Sequence, residues 1–213
     1  MAGASCAGHR RRASGGLTMD LPPYCLFLDL ETTGTDEGRD PIIEIGCILT
    51  RTTPAFPELA SCSFVVTNYA PWLRPQMSGE VLVMHASNGL LAELDAGAGV
   101  SIHEAERLVL DMVNRHAGDE RVILAGSGVG HFDRRFLRAQ MPGLDARLVW
   151  YVLDIGVVRR LARLAGVRAG WAGDAKPHRA LADTRLHLAE ARELAALIGG
   201  HEALEVATDG RTV

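Results

Sequence analysis

The apolar run that begins at Tyr24 ends in two acids, Asp29 and Glu31, separated by a single leucine. Side chains two apart on a strand share a face, which sets both carboxylates on one side, roughly 7 Å apart. Two like charges beside an apolar core are unfavourable unless a cation lies between them. Hard divalent ions such as Mg²⁺ or Mn²⁺ supply that cation through oxygen ligands. An isolated Asp-x-Glu at a strand end is more often simply solvated, so the pair takes its meaning from the rest of the chain.

A second apolar run, Ile42-Ile-Glu-Ile-Gly-Cys-Ile-Leu49, follows a turn-rich stretch over 33–41 and reads as a strand covered on both faces. Residues 63–67 complete three strand-like runs, 68–79 read as loop and 87–96 as a short helix. Ser101 and Glu104 form a reciprocal capping pattern, and Ala105, Leu108, Val109 and Met112 then recur at helical spacing towards Gly118. Strand 121–125, a glycine turn over 126–130, and a helix over 132–141 stopped by Pro142-Gly143 come next. Strand 147–153, helix 155–165, a loop over 170–177 and a long helix from 178 to about 198 complete the chain. Strands first, then alternating helix and strand, predict an α/β fold: a mixed sheet with helices packed on it.

A chain of 213 residues suffices for one domain with a full-sized core. Its formal charge is −4, and setting aside Arg10, Arg11 and Arg12 leaves the body at −7. An acidic body excludes a general nucleic-acid-coating surface. It still allows an enzyme that grips a few nucleotides through metal ions. Cys6, Cys25, Cys47 and Cys62 show no zinc-like spacing, and Cys25 and Cys47 fall inside strand runs. Core packing in a reducing, cytoplasmic setting is the expectation. No apolar run approaches the ~20 residues of a membrane span, so no membrane partner is expected. Residues 1–22 read as a disordered, Arg-bearing tail with Met19 as an alternative start, 23–200 as the folded domain and 201–213 as a C-terminal tail.

Two further acidic stretches stand beside helix starts. Gly130-His-Phe-Asp133 puts an aspartate in a first helical turn, and His178 precedes Asp183 by five positions at the last helix. Each alone has a bland reading, since an aspartate there complements the helix dipole and a histidine there is usually a cap or surface residue. Taken together, Asp29-x-Glu31, Asp133 and His178-x4-Asp183, with the Thr-Thr-Gly34 and Ile-Ile-Glu-Ile-Gly46 flanks, resemble the DEDD superfamily of 3′-to-5′ exonucleases in its histidine branch. Within it, Asp133-Arg-Arg-Phe-Leu137, Met141-Pro-Gly-Leu144 and His178-Arg-Ala-Leu-Ala-Asp183 are similar to oligoribonuclease segments.

That resemblance implies a ribonuclease-H-like fold with a five-stranded mixed sheet, commonly a homodimer, and two divalent ions, Mg²⁺ or Mn²⁺. It assigns Asp29 as the bridging metal ligand, Glu31 and Asp183 to the water-activating ion, and Asp133 to the other. Glu31 also lies by the nucleotide's 3′-hydroxyl, and His178 is the general base. The implied substrate is single-stranded or short RNA, or DNA, cut to nucleoside 5′-monophosphates. Thr32 and Arg134 are candidate substrate contacts, with Trp150 and Tyr151 as stacking surfaces. The family's His-Tyr-Arg run reads Val149-Trp150-Tyr151 here, so its phosphate-holding arginine is missing and a strict dinucleotide preference is not expected. The rivals are a DNA-directed proofreading or repair exonuclease and a non-catalytic module that binds nucleic-acid ends.

Overall fold

The protein is described by a computed structural model over residues 21–67, 71–167 and 176–208. Five strands form one mixed sheet in the order β3-β2-β1-β4-β5. β1 (Tyr24–Thr32), β2 (Ile42–Arg51) and β3 (Glu58–Val65) pair antiparallel, and β4 (Val122–Gly126) and β5 (Leu148–Asp154) add in parallel on the other side of β1. The expected α/β class and five-stranded mixed sheet are therefore both present.

Helices α1 (Gly79–Ser87) and α2 (Leu90–Asp95) lie on a small cluster around Ile43. On one sheet face α3 (Ile102–Ala117), α4 (Asp133–Gln140) and α5 (Pro142–Arg147) meet Leu26, Leu28 and Leu30 of β1. On the other, α6 (Ile155–Leu164) and α7 (Ala180–Thr208) enclose Cys25 and Phe27. Strand periodicity alone divides β1 this way, odd positions facing α7 and even ones facing α3 to α5. Asp29 and Glu31 are odd. Cys25 and Cys47 are fully buried, as read from the sequence.

Four boundaries differ from expectation. β3 begins at Glu58, because small residues from Ala60 to Ser63 can pair with β2 without the apolar signature of a covered strand. The helix expected over 87–96 is α2 alone, begun only after Gly89 turns at φ 84 and the Asn88 side chain accepts from Leu90 N at 3.0 Å, and α1 before it was not expected. Pro142 opens α5, where a missing amide hydrogen costs nothing, as well as ending α4. α7 continues past Ile198 to Thr208, into the stretch expected as a tail. The capping bond from Glu104 N to Ser101 Oγ forms at 3.2 Å, but Arg107 engages the Glu104 carboxylate, so the reciprocal half is absent. Residues 1–20 of the expected N-terminal tail lie outside the described residues.

Candidate active site

β4 pairs with β1 only from Cys25 to Phe27, so Asp29 to Thr32 run on beyond it. A cleft opens there, at the carboxyl end of the parallel strands and where pairing changes sense. β4 stops at Gly126, where φ is 151° and a Cβ would lie 2.7 Å from the Leu28 carbonyl oxygen. Only glycine lets the chain leave so close to β1. The turn that follows starts α4 at Asp133, whose Oδ1 accepts from Leu30 N at 3.0 Å. Gln140, at the other end of α4, accepts from Ile42 N at 3.0 Å and donates to the carbonyls of Glu37 and Asp40, bracing the loop between β1 and β2.

α7 reaches the cleft by a different device. Gly46 pairs with Asp29, and a Cβ on it would stand 2.2 Å from Leu181 N, so the helix backbone rests directly on the strand. Glu44 accepts from Ala180 N at 3.0 Å at the helix start. Arg179 donates to Glu44 at 3.0 Å and to Glu93 of α2 at 2.8 Å, clamping the helix start between strand and helix. Thr184 Oγ1 lies 3.1 Å from the Gly46 carbonyl. The result buries Asp183 facing β1. His178 has φ 50°, and its carbonyl accepts from the Asn88 side chain.

Asp29, Glu31, Asp133, His178 and Asp183 all line one cavity of about 300 Å³, together with Ser127, His131, Phe132 and Lys176. Ligand atoms of Glu31, His178 and Asp183 lie within 4.8 Å of one another. Burial, then the repulsion of Asp183 and Glu44, pushes Glu31 up to about 8. Burial raises Asp133 to about 7 against the pull of the Leu30 amide. Asp29 is raised by burial and by Asp133 and Glu31, and Asp183 by burial. Asp183 Oδ1 is buried without a hydrogen-bond partner. Crowded, desolvated carboxylates with an orphaned oxygen are the donor set of a hard divalent cation, and the residues fit one.

The candidate substrate contacts are distributed differently. Thr32 is buried, its hydroxyl donating to the Gly34 carbonyl at 2.6 Å. Trp150 is 81% exposed on edge strand β5, edge-on to Tyr151 at 5.3 Å. Tyr151 lines a separate apolar pocket of about 400 Å³ with Leu21, Phe56 and Leu153. Arg134 is buried and donates to Asp145 at 3.0 Å and to the Trp150 carbonyl at 2.9 Å. A guanidinium so occupied ties α4 to β5 and α5, which corrects its expected role at a phosphate. None of Trp150, Tyr151 and Arg134 lines the acidic cavity.

Residues 26–191 match the family Exonuclease (RNase_T). The chain belongs to this exonuclease family. Oligoribonuclease of Corynebacterium diphtheriae is 34% identical over 161 residues, 74% of this chain and 75% of that protein. Oligoribonuclease of Streptomyces coelicolor is 33% identical over 170 residues, 78% of this chain and 82% of that one. With these relatives the exonuclease is of the 3′-to-5′ hydrolase class. Among solved structures, zinc-bound E. coli exonuclease I with single-stranded DNA superimposes with TM-score 0.62 at 15% identity. It covers 82% of this chain and 41% of its own. Exonuclease I of Methylocaldum szegediense gives 0.60 at 19%, over 85% and 44%. This chain thus spans about two fifths of those proteins, and the likeness establishes the ribonuclease-H-like fold.

Sequence reading missed several supports of the exonuclease site. Gly46 and Glu44 carried a signal, since a glycine and a charge inside a covered strand ask for a close neighbour and a partner. His187, one turn beyond Asp183 on α7, is buried with Nδ1 3.9 Å from Asp29 Oδ1. His85 of α1 is buried behind Glu31, its Nε2 3.0 Å from the Thr32 carbonyl oxygen, and nothing local in the sequence announces it.

Proposed function

We propose that the protein is a metal-dependent exonuclease of oligoribonuclease type that removes nucleoside 5′-monophosphates from the 3′ ends of short, single-stranded nucleic acid, RNA in preference to DNA. The catalytic unit is residues 23–200. The observation that carries this reading is the convergence of β1, α4 and α7 on one cavity holding four carboxylates and His178. Asp29, Glu31, Asp133 and Asp183 would hold two divalent ions, Mg²⁺ or Mn²⁺. When bound, such ions polarise the phosphodiester and offset the charge that develops on it.

The protein's own groups supply the rest. His178 stands beside Glu31 and Asp183, where its ring accepts the proton of the attacking water. Glu31 closes the cavity next to Thr32 and marks the 3′-hydroxyl end. Phe132 and His131 at the cavity wall offer faces to an unpaired terminal base. Trp150 and Tyr151 bear on the substrate only if a second copy brings its β5 edge to the cavity. The exposed stripe Val157, Leu161 and Leu164 on α6 supports such a homodimer. Among the described residues no helix is long and apolar enough to cross a membrane; the buried, unbridged Cys25 and Cys47 support a reducing, cytoplasmic setting.

End-labelled RNA and DNA ladders, from two nucleotides upward, incubated with Mn²⁺ or with EDTA, test this directly. Stepwise loss of 3′ mononucleotides in Mn²⁺ alone, faster on RNA, is expected. Intact ladders of both kinds in Mn²⁺ overturn the assignment in favour of a binding module.

A further inference from the structure

Among the described residues lining the acidic cavity, Lys176 is the only lysine or arginine. Its Nζ lies 3.9 Å from Asp183 Oδ2 and 3.0 Å from His187 Nε2, with the side chain 29% exposed. An ammonium only donates, so His187 Nε2 must accept, and the neutral ring then carries its proton on Nδ1. That proton points towards Asp29, 3.9 Å from Oδ1, and burial with Lys176 alongside keeps the ring neutral, pulled down to about 3. Lys176 is thus hydrogen-bonded to His187, whose Nδ1 is buried without a hydrogen-bond partner of its own and faces the Asp29 carboxylate at the centre of the site.

We propose that Lys176 is a built-in counter-cation of the metal site, latched by His187 beside Asp183 when no divalent ion is bound, and that a divalent ion must displace it to bind. The inference rests on the exonuclease reading only for the claim that such an ion binds here. Lys176 draws down Asp29, Glu31, Asp133 and Asp183 alike, so it faces the whole acidic group. One positive charge cannot balance four carboxylates, and it leaves Asp183 Oδ1 without a partner. Ammonium and divalent ion cannot share the cavity, because like charges a few ångströms apart in a partly desolvated site repel strongly. A long, flexible stem lets the ammonium swing out. Lys176 thus stabilises the empty site and weakens metal affinity by the same interaction.

The test uses the full chain with Lys176→Met, Lys176→Gln and Lys176→Arg, titrated with Mn²⁺ by calorimetry and melted in EDTA. Both neutral variants should bind Mn²⁺ about tenfold or more tightly, since 1.4 kcal/mol of relieved competition suffices for that. Both should melt lower in EDTA, and Lys176→Arg should stay near wild type on both measurements. Neutral variants that bind Mn²⁺ no better than a wild type which does bind it overturn the counter-cation role alone. A wild type with a flat Mn²⁺ titration overturns the metal site itself, and this role with it.

Discussion

On the face of β1 turned to α3, α4 and α5, Leu26, Leu28 and Leu30 are buried in the largest apolar cluster. On the face turned to α7, Cys25 and Phe27 are just as buried, but Asp29 and Glu31 follow where the other face has Leu28 and Leu30. The backbone and the strand are shared, so side-chain chemistry, with the cleft that opens at Asp29, separates the faces. One face converts burial into stability; the other holds buried carboxylates whose pKa values are all raised, so that ionising them opposes folding until a cation arrives. The site is a region of the core that gives up stability for charge.

The largest expected effect follows from exchanging that charge. Asp29→Asn or Asp183→Asn should cut 3′-end cleavage by roughly 1000-fold, about 4 kcal/mol of lost transition-state stabilisation. The same variants should melt no lower than wild type in EDTA, because they relieve repulsion. A variant that melts far lower would mean that the acids hold the fold and that the two faces do not differ as described. On the apolar face, Leu28→Ala should cost about 2–5 kcal/mol in urea denaturation while the folded enzyme keeps its turnover.

Gly46→Ala joins the two faces' properties. Its new methyl would meet the Leu181 backbone at 2.2 Å, so α7 must shift, at about 1–3 kcal/mol of stability, with Asp183 carried along. Stability and turnover should fall together, unlike in either single-face variant. The smallest effect is on pH dependence. A carboxylate raised from 4.5 to about 8, as for Glu31, leaves the folded state binding more protons than the unfolded chain. The metal-free protein should therefore lose stability as pH rises from about 4.5 through about 8, with Asp133 adding to the loss up to about 7. Urea midpoints in EDTA should fall across that window, saturating Mn²⁺ should remove the slope, and Leu28→Ala should lower the curve without changing its slope.

Much of this was legible beforehand. Strand periodicity put Asp29 and Glu31 on one side, and the capping and breaker residues gave most helices. The acids and His178 could be recognised from their order along the chain, without knowing how they meet. The first half of β3 escaped because an outer strand of small residues lacks a covered strand's pattern, and α1 because its apolar residues are spread around the helix. Arg134 looked like a phosphate ligand because an arginine's sequence position does not reveal whether an internal acid, here Asp145, already holds it.

By itself the sequence determined which residues are the site candidates and that they belong to a mixed sheet, since residue type and local spacing act through neighbours along the chain. Only the tertiary structure decided that Gly46 lets α7 rest on β2, that Arg179 bridges Glu44 and Glu93, and that Lys176 and His187 reach into the acidic cavity. Those contacts join residues far apart in sequence, and their energies depend on distance and burial, quantities that exist only once the chain has closed on itself.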